Sequence, residues 1–63
     1  MNKWYVVFEA KDQNGNYFRF GVECENKKKA QQSEAVIHSK YKVNYSRVCC
    51  YPNKTGLIMI DLT

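Results

Sequence analysis

The chain is poor in the residues that make metal and catalytic centres. It has one histidine and three cysteines, and no CxxC spacing. It has one proline and three glycines, so no glycine-rich phosphate loop and no proline-rich linker is present. No apolar run approaches the ~18 residues of a membrane-spanning helix. Six acidic residues against ten basic ones leave a net charge of +4. That balance suits solubility, and it also suits association with nucleic acid or an acidic protein surface.

What is present is the composition of a folded domain, 44% hydrophobic and 14% aromatic in 63 residues. Residues 1–63 are read as a single domain. A chain of this size buries only about 60% of the surface its unfolded form exposes. It leaves little room for an enclosed ligand cavity of ~300 Å³ or more beside a packed core. The expectation is a protein that binds rather than an enzyme, with no cofactor. The opening MNKWYVVFEA is basic, then apolar, but it alternates and soon meets Glu9 and Lys11. It reads as a strand, not a signal peptide. A cytoplasmic location with reduced thiols is therefore expected.

Periodicity organises the rest. Trp4, Val6, Phe8 and Ala10 alternate with Tyr5, Val7, Glu9 and Lys11, which is the period of a half-buried strand. Asn14-Gly15 follows and predicts a type I′ hairpin. A second strand over 17–25 puts Phe18, Phe20, Val22 and Cys24 on one face, with Tyr17, Arg19, Gly21, Glu23 and Glu25 on the other. Asn26 is a candidate N-cap for a helix rich in helix formers. On that helix Ala30, Ile37 and Tyr41 form a thin apolar stripe flanked by Ser33 and Glu34. A third strand is expected over about 43–51, a turn at PNKTG, and a fourth strand over 57–62.

The result is an α+β domain, β-β-α-β-β, with one helix packed on one face of a mainly antiparallel sheet. The favoured strand order is 2-1-3-4. The inward face collects Trp4, Val6, Phe8, Phe18, Phe20, Val22, Val48, Cys50, Ile58 and Ile60, with Ala30, Ile37 and Tyr41 from the helix. The open face then carries Tyr5, Tyr17, Arg19, Tyr45, Arg47 and Tyr51, beside Val7, Leu57 and Met59. Tyr and Arg are enriched at protein-interface hot spots, and they also stack on unpaired bases. Cross-strand Tyr and Arg pairs can equally serve only the sheet. Lys27, Lys28 and Lys29 stand at the helix N-terminus, where the helix dipole disfavours a cation by ~0.3–1 kcal/mol. They are candidates for contact with phosphates or an acidic patch, or a solvated basic turn.

Cys49 and Cys50 are adjacent, so on a strand they face opposite ways and cannot readily share a metal ion. Cys24 and Cys50 read as small core residues, and Cys49 as a thiol beside Arg47. His38 is offset from the Ile37 stripe, away from both inward cysteines. Glu9 and Glu23 share the open face and could approach each other, but no nucleophile–base pair accompanies them.

WYVVFEAKDQNGNYFRF, KKKAQQSEAVIHSKYK and YSRVCCY are laid out as an aromatic strand, an Asn-Gly hairpin, a Lys/Gln/Glu/Ala helix and a further strand. This layout resembles small accessory proteins of bacteriophages and mobile elements, including inhibitors of host RNA polymerase. The resemblance implies a protein that binds and modulates a host protein; the residues themselves offer the Tyr/Arg face or an edge strand for that contact. The alternative is a nucleic-acid binder that stacks bases on the sheet tyrosines and neutralises phosphates with Lys27–Lys29, Lys40, Lys42 and Arg47. A homodimer joined through sheet faces or edges is the third possibility.

Overall fold

The computed structural model of the chain describes residues 3–50 and 52–62. Its elements are β1 (Trp4–Lys11), β2 (Tyr17–Cys24), α1 (Lys27–Lys40), β3 (Val43–Cys49) and β4 (Leu57–Met59). This is the α+β arrangement that the periodicity implies, with one helix on one four-stranded sheet.

The hairpin is built differently from the expected turn. Gln13, Asn14 and Gly15 form a three-residue loop closed by Asp12 N–H to Asn16 O at 2.8 Å and Gly15 N–H to Asp12 O at 3.1 Å. The Asp12 carboxylate also accepts from the backbone of Asn14 and Asn16, each at 2.9 Å. Within this loop only Gly15 has positive φ, at 83°. A type I′ turn needs two such residues, and Asp12 holds Asn14 out of that conformation.

α1 starts where its cap predicts. Asn26 Oδ1 accepts from Lys29 N–H at 2.8 Å, and Ala30 N–H reaches Asn26 O at 3.0 Å. The helix buries Ala30 and Ile37 against β1, β2 and β3. The core is Val6, Phe8, Ala10, Val22, Cys24, Ala30 and Ile37, with Trp4, Phe20, Val43, Val48, Ile60 and Leu62 packed around it. Phe8 stacks on Phe20 at 5.3 Å and tilts against Tyr41 at 5.7 Å.

The strand order is β3-β1-β2-β4. β1 lies between β2 and β3, antiparallel to both, as expected. β4 departs from the expected order. It lies beside β2, parallel to it, at the opposite edge from β3. The chain between β3 and β4 therefore crosses the sheet. From Cys49 to Leu57 it must cover three strand spacings and return four residues along the strands, roughly 20 Å. A connection of this length reaches ~27 Å when extended. It crosses the face opposite α1, because Lys54 Nζ lies 4.9 Å from the ring centre of Tyr5. What the crossing gains is cover for the central strand: Tyr5 and Val7 point away from the helix and are nonetheless buried. Burying such a side chain is worth about 1.5–3 kcal/mol. With β4 beside β3, both would face water.

The helix does not reach β4, so Ile58, expected inside, is exposed. Phe18, near the hairpin end, and Tyr41, at the helix C-cap, are also more than 40% exposed. Cys50 sits on a bend past β3 and is half-buried. The last regular strand is three residues long, after which Ile60 N–H still bonds Gly21 O at 2.9 Å. Among the described residues no helix is long and apolar enough to cross a membrane.

Candidate functional site

The face away from α1 is not an open tyrosine platform. The strand register places Tyr45, Glu9, Arg19 and Leu57 in one row across the sheet. Arg47, Val7, Gly21 and Met59 form the next row, and Cys49, Tyr5 and Glu23 the third. The middle of this face is closed. Tyr5, expected as a contact residue, is 8% exposed beneath Lys54, and Val7 is 4% exposed. Tyr17 is exposed at the hairpin end, where Lys11 Nζ lies 5.2 Å from its ring. Tyr51 lies outside the described residues. Glu9 stands opposite Arg19 and Glu23 opposite Tyr5, so these two carboxylates do not meet.

The lysine run is largely accounted for within the fold. Lys27 Nζ is 5.6 Å from the Trp4 ring, and Lys29 Nζ is 3.2 Å from Glu25 Oε2. Their contacts offset the unfavourable helix dipole. Lys28 is exposed and makes neither contact.

Among the described residues two pairs of predicted site residues remain together and exposed, Tyr17 and Arg19 on β2 and Tyr45 and Arg47 on β3, and only the second pair lies on an edge strand with a free side of this length. β3 is an edge strand, paired on one side with β1. The direction of its free hydrogen-bonding groups follows from alternation. Asp12 N–H bonds Asn16 O, so even-numbered β1 residues turn their backbone groups to β2 and odd-numbered ones to β3. The bonded partners on β3 are then Tyr45, Arg47 and Cys49. The backbone N–H and C=O of Ser46 and Val48 point outward, away from the sheet.

The rest of β3 is fixed from inside. A bulge between Glu9 and Ala10 leaves Asn44 as an extra residue, and its amide donates to Glu9 Oε1 at 2.8 Å. Ser46 Oγ lies 2.7 Å from both Glu34 Oε2 and His38 Nε2. A hydroxyl has one proton. Ser46 donates it to the carboxylate and accepts from His38 Nε2–H. Sequence reasoning missed this trio. The signal was present in Glu34 and His38, one helical turn apart on the side facing β3. The trio is not a nucleophile–base–orienter relay, since the carboxylate meets the serine and not the imidazole.

A shallow groove of about 360 Å³ lies between Val22, Glu23, Met59, Ile60 and Asp61, open to solvent. Among the described residues no three His, Cys, Asp or Glu side chains are placed to hold a metal ion. Comparisons with protein-family models, curated proteins and solved structures give no match.

Proposed function

We propose that this chain is a small non-enzymatic binding protein that adds an extended strand of a partner protein to the outer edge of β3. In the phage or prophage setting that its layout resembles, the partner is a host protein whose activity is modulated. The observation that carries the reading is β3 itself. Its seven residues pair on one side only among the described residues, with Ser46 and Val48 offering outward backbone groups and Tyr45 and Arg47 exposed beside them. The bulge at Asn44 and the charge of Arg47 limit what such an edge accepts, but they leave the outward groups of Ser46 and Val48 in place. β4, at the other side, is blunted by being only three residues long. The nucleic-acid reading has weaker support. Stacking needs accessible rings in a row, whereas Tyr5 is buried, and Lys27 and Lys29 are engaged within the fold.

The test is capture from bacterial lysate treated with nuclease, using the wild-type chain, Ser46→Ala and Ser46→Pro. Proline removes one outward N–H without breaking a bond to β1, a position that edge strands tolerate. Alanine controls for the lost hydroxyl. A protein retained by the wild type and Ser46→Ala but lost by Ser46→Pro supports edge pairing. Equal retention by all three overturns it. Capture that disappears with nuclease moves the nucleic-acid reading to first place.

A further inference from the structure

We infer that the segment accepted by β3 is acidic: an extended stretch of another protein with Glu or Asp at alternate positions. This rests on the edge reading above and adds the partner's chemistry to it. The argument is charge complementarity. Lys40, Lys42 and Arg47 lie on or just before β3, all exposed, and no ion pair joins them to the described residues. The carboxylates near this strand are engaged from the inside. Glu9 takes the Asn44 amide at 2.8 Å, and Glu34 takes the Ser46 hydroxyl at 2.7 Å. The edge therefore offers three exposed cations that form no ion pair with the described residues.

Alternation says where the partner's charges belong. Arg47 and Tyr45 project to the face away from α1, while Ser46 and Val48 project to the helix side. A strand laid along β3 puts every second side chain in the Arg47 row. An acidic residue there faces the Arg47 guanidinium, its neighbours in the row meet Tyr45 and Cys49, and uncharged ones on the other side face Val48. A second copy of this chain fits less well. It would bring Lys40, Lys42 and Arg47 of both copies to one seam. Nucleic acid would use the same cations but has no use for the outward N–H and C=O alternation of Ser46 and Val48.

The probes are an eight-residue capped peptide alternating Glu with Val, its Gln and Lys counterparts, the Glu peptide N-methylated at alternate residues, and a single-stranded DNA twelve-mer. Each is titrated into the ¹⁵N-labelled full chain, with amide exchange read at Ser46 and Val48. The expected result is that the Glu peptide protects those two amides and binds about tenfold more tightly than the Gln peptide. N-methylation abolishes the protection, and Arg47→Glu removes the preference. Equal binding of the Glu and Gln peptides overturns the acidic partner while leaving the edge reading in place. If no peptide protects the two amides, the acidic partner is overturned, and the edge reading is then decided by lysate capture with Ser46→Pro. Protection by DNA and not by the Glu peptide overturns both. Equilibrium sedimentation showing a dimer that Arg47→Glu strengthens overturns the inference in favour of a second copy.

Discussion

Gly21 and Met59 face each other across the β2–β4 pair so closely that a Cβ on Gly21 would stand 2.9 Å from Met59 Sδ and 3.5 Å from Leu57 Cδ1. The missing side chain makes a slot, and two side chains of β4 fill it beside Val7. Gly21→Ala is expected to cost about 1 kcal/mol, because the end of a methionine can shift. Gly21→Val should cost about 2–3 kcal/mol and release β4. Urea unfolding measures the loss. Exchange of the Ile60 amide, which bonds Gly21 O, reports the release directly. Unchanged Ile60 protection in Gly21→Val would mean that β4 is held by something other than this slot.

The Ser46 hydroxyl joins helix to sheet, and its removal should be felt at both ends. Ser46→Ala leaves Glu34 and His38 to water, since both are partly accessible, so the cost should be about 1–2 kcal/mol rather than that of a buried orphan. A second readout separates this from general loosening. In the wild type the neutral imidazole should carry its proton on Nε2, because Ser46 has no second proton to donate. Two-bond ¹H–¹⁵N spectra of the ring should show one tautomer in the wild type and a mixture in Ser46→Ala. A mixture in both would remove the proposed hydrogen-bond order.

The three lysines at the start of α1 are predicted to behave differently from one another. Lys28→Glu places an anion at the helix N-terminus without removing a contact, and should stabilise by about 0.3–1 kcal/mol. Lys27→Glu gains the same term but loses the contact with Trp4, so its net effect should be close to zero. Asn26→Ala removes the cap and should cost about 1 kcal/mol. Thermal unfolding followed by circular dichroism ranks them. If Lys28→Glu were stabilising and also abolished partner capture, the lysine run would be part of the binding surface.

The parts of the fold that local pattern controls were legible in the sequence. The strands β1 and β2, the Asn26 cap and the Ala30–Ile37 stripe each depend on neighbours a few residues away, and each is found where expected, although burial does not follow the alternation at Tyr5, Val7 and Phe18. The place of β4 is set by distant terms: the cover that Tyr5 and Val7 need, and the slot at Gly21. A glycine in the middle of a strand is the one local sign of such a close approach. The same distant crossing altered the candidate site. Period two puts Tyr5 and Tyr45 on one face, but it does not reveal that a connection from elsewhere in the chain closes over the first and leaves the second exposed.

That difference between two tyrosines gives the sharpest test of which surface is available. Tyr5 is 8% exposed on the central strand, and Tyr45 is 41% exposed on the edge strand. Truncating Tyr5 to alanine opens a cavity under residues that cross the sheet, and should cost about 3 kcal/mol. For a domain this small, that is a large share of the total stability. Tyr45→Ala removes a ring that protrudes from the edge, and should change stability by no more than about 0.5 kcal/mol. Binding should follow the opposite order once folding is accounted for. Tyr45→Ala should weaken capture of the partner at full helicity, whereas Tyr5→Ala should weaken it only in proportion to the unfolded fraction. Denaturant midpoints and capture measured on the same preparations separate the two effects. A folded Tyr5→Ala chain that fails to bind would return the binding surface to the centre of the sheet.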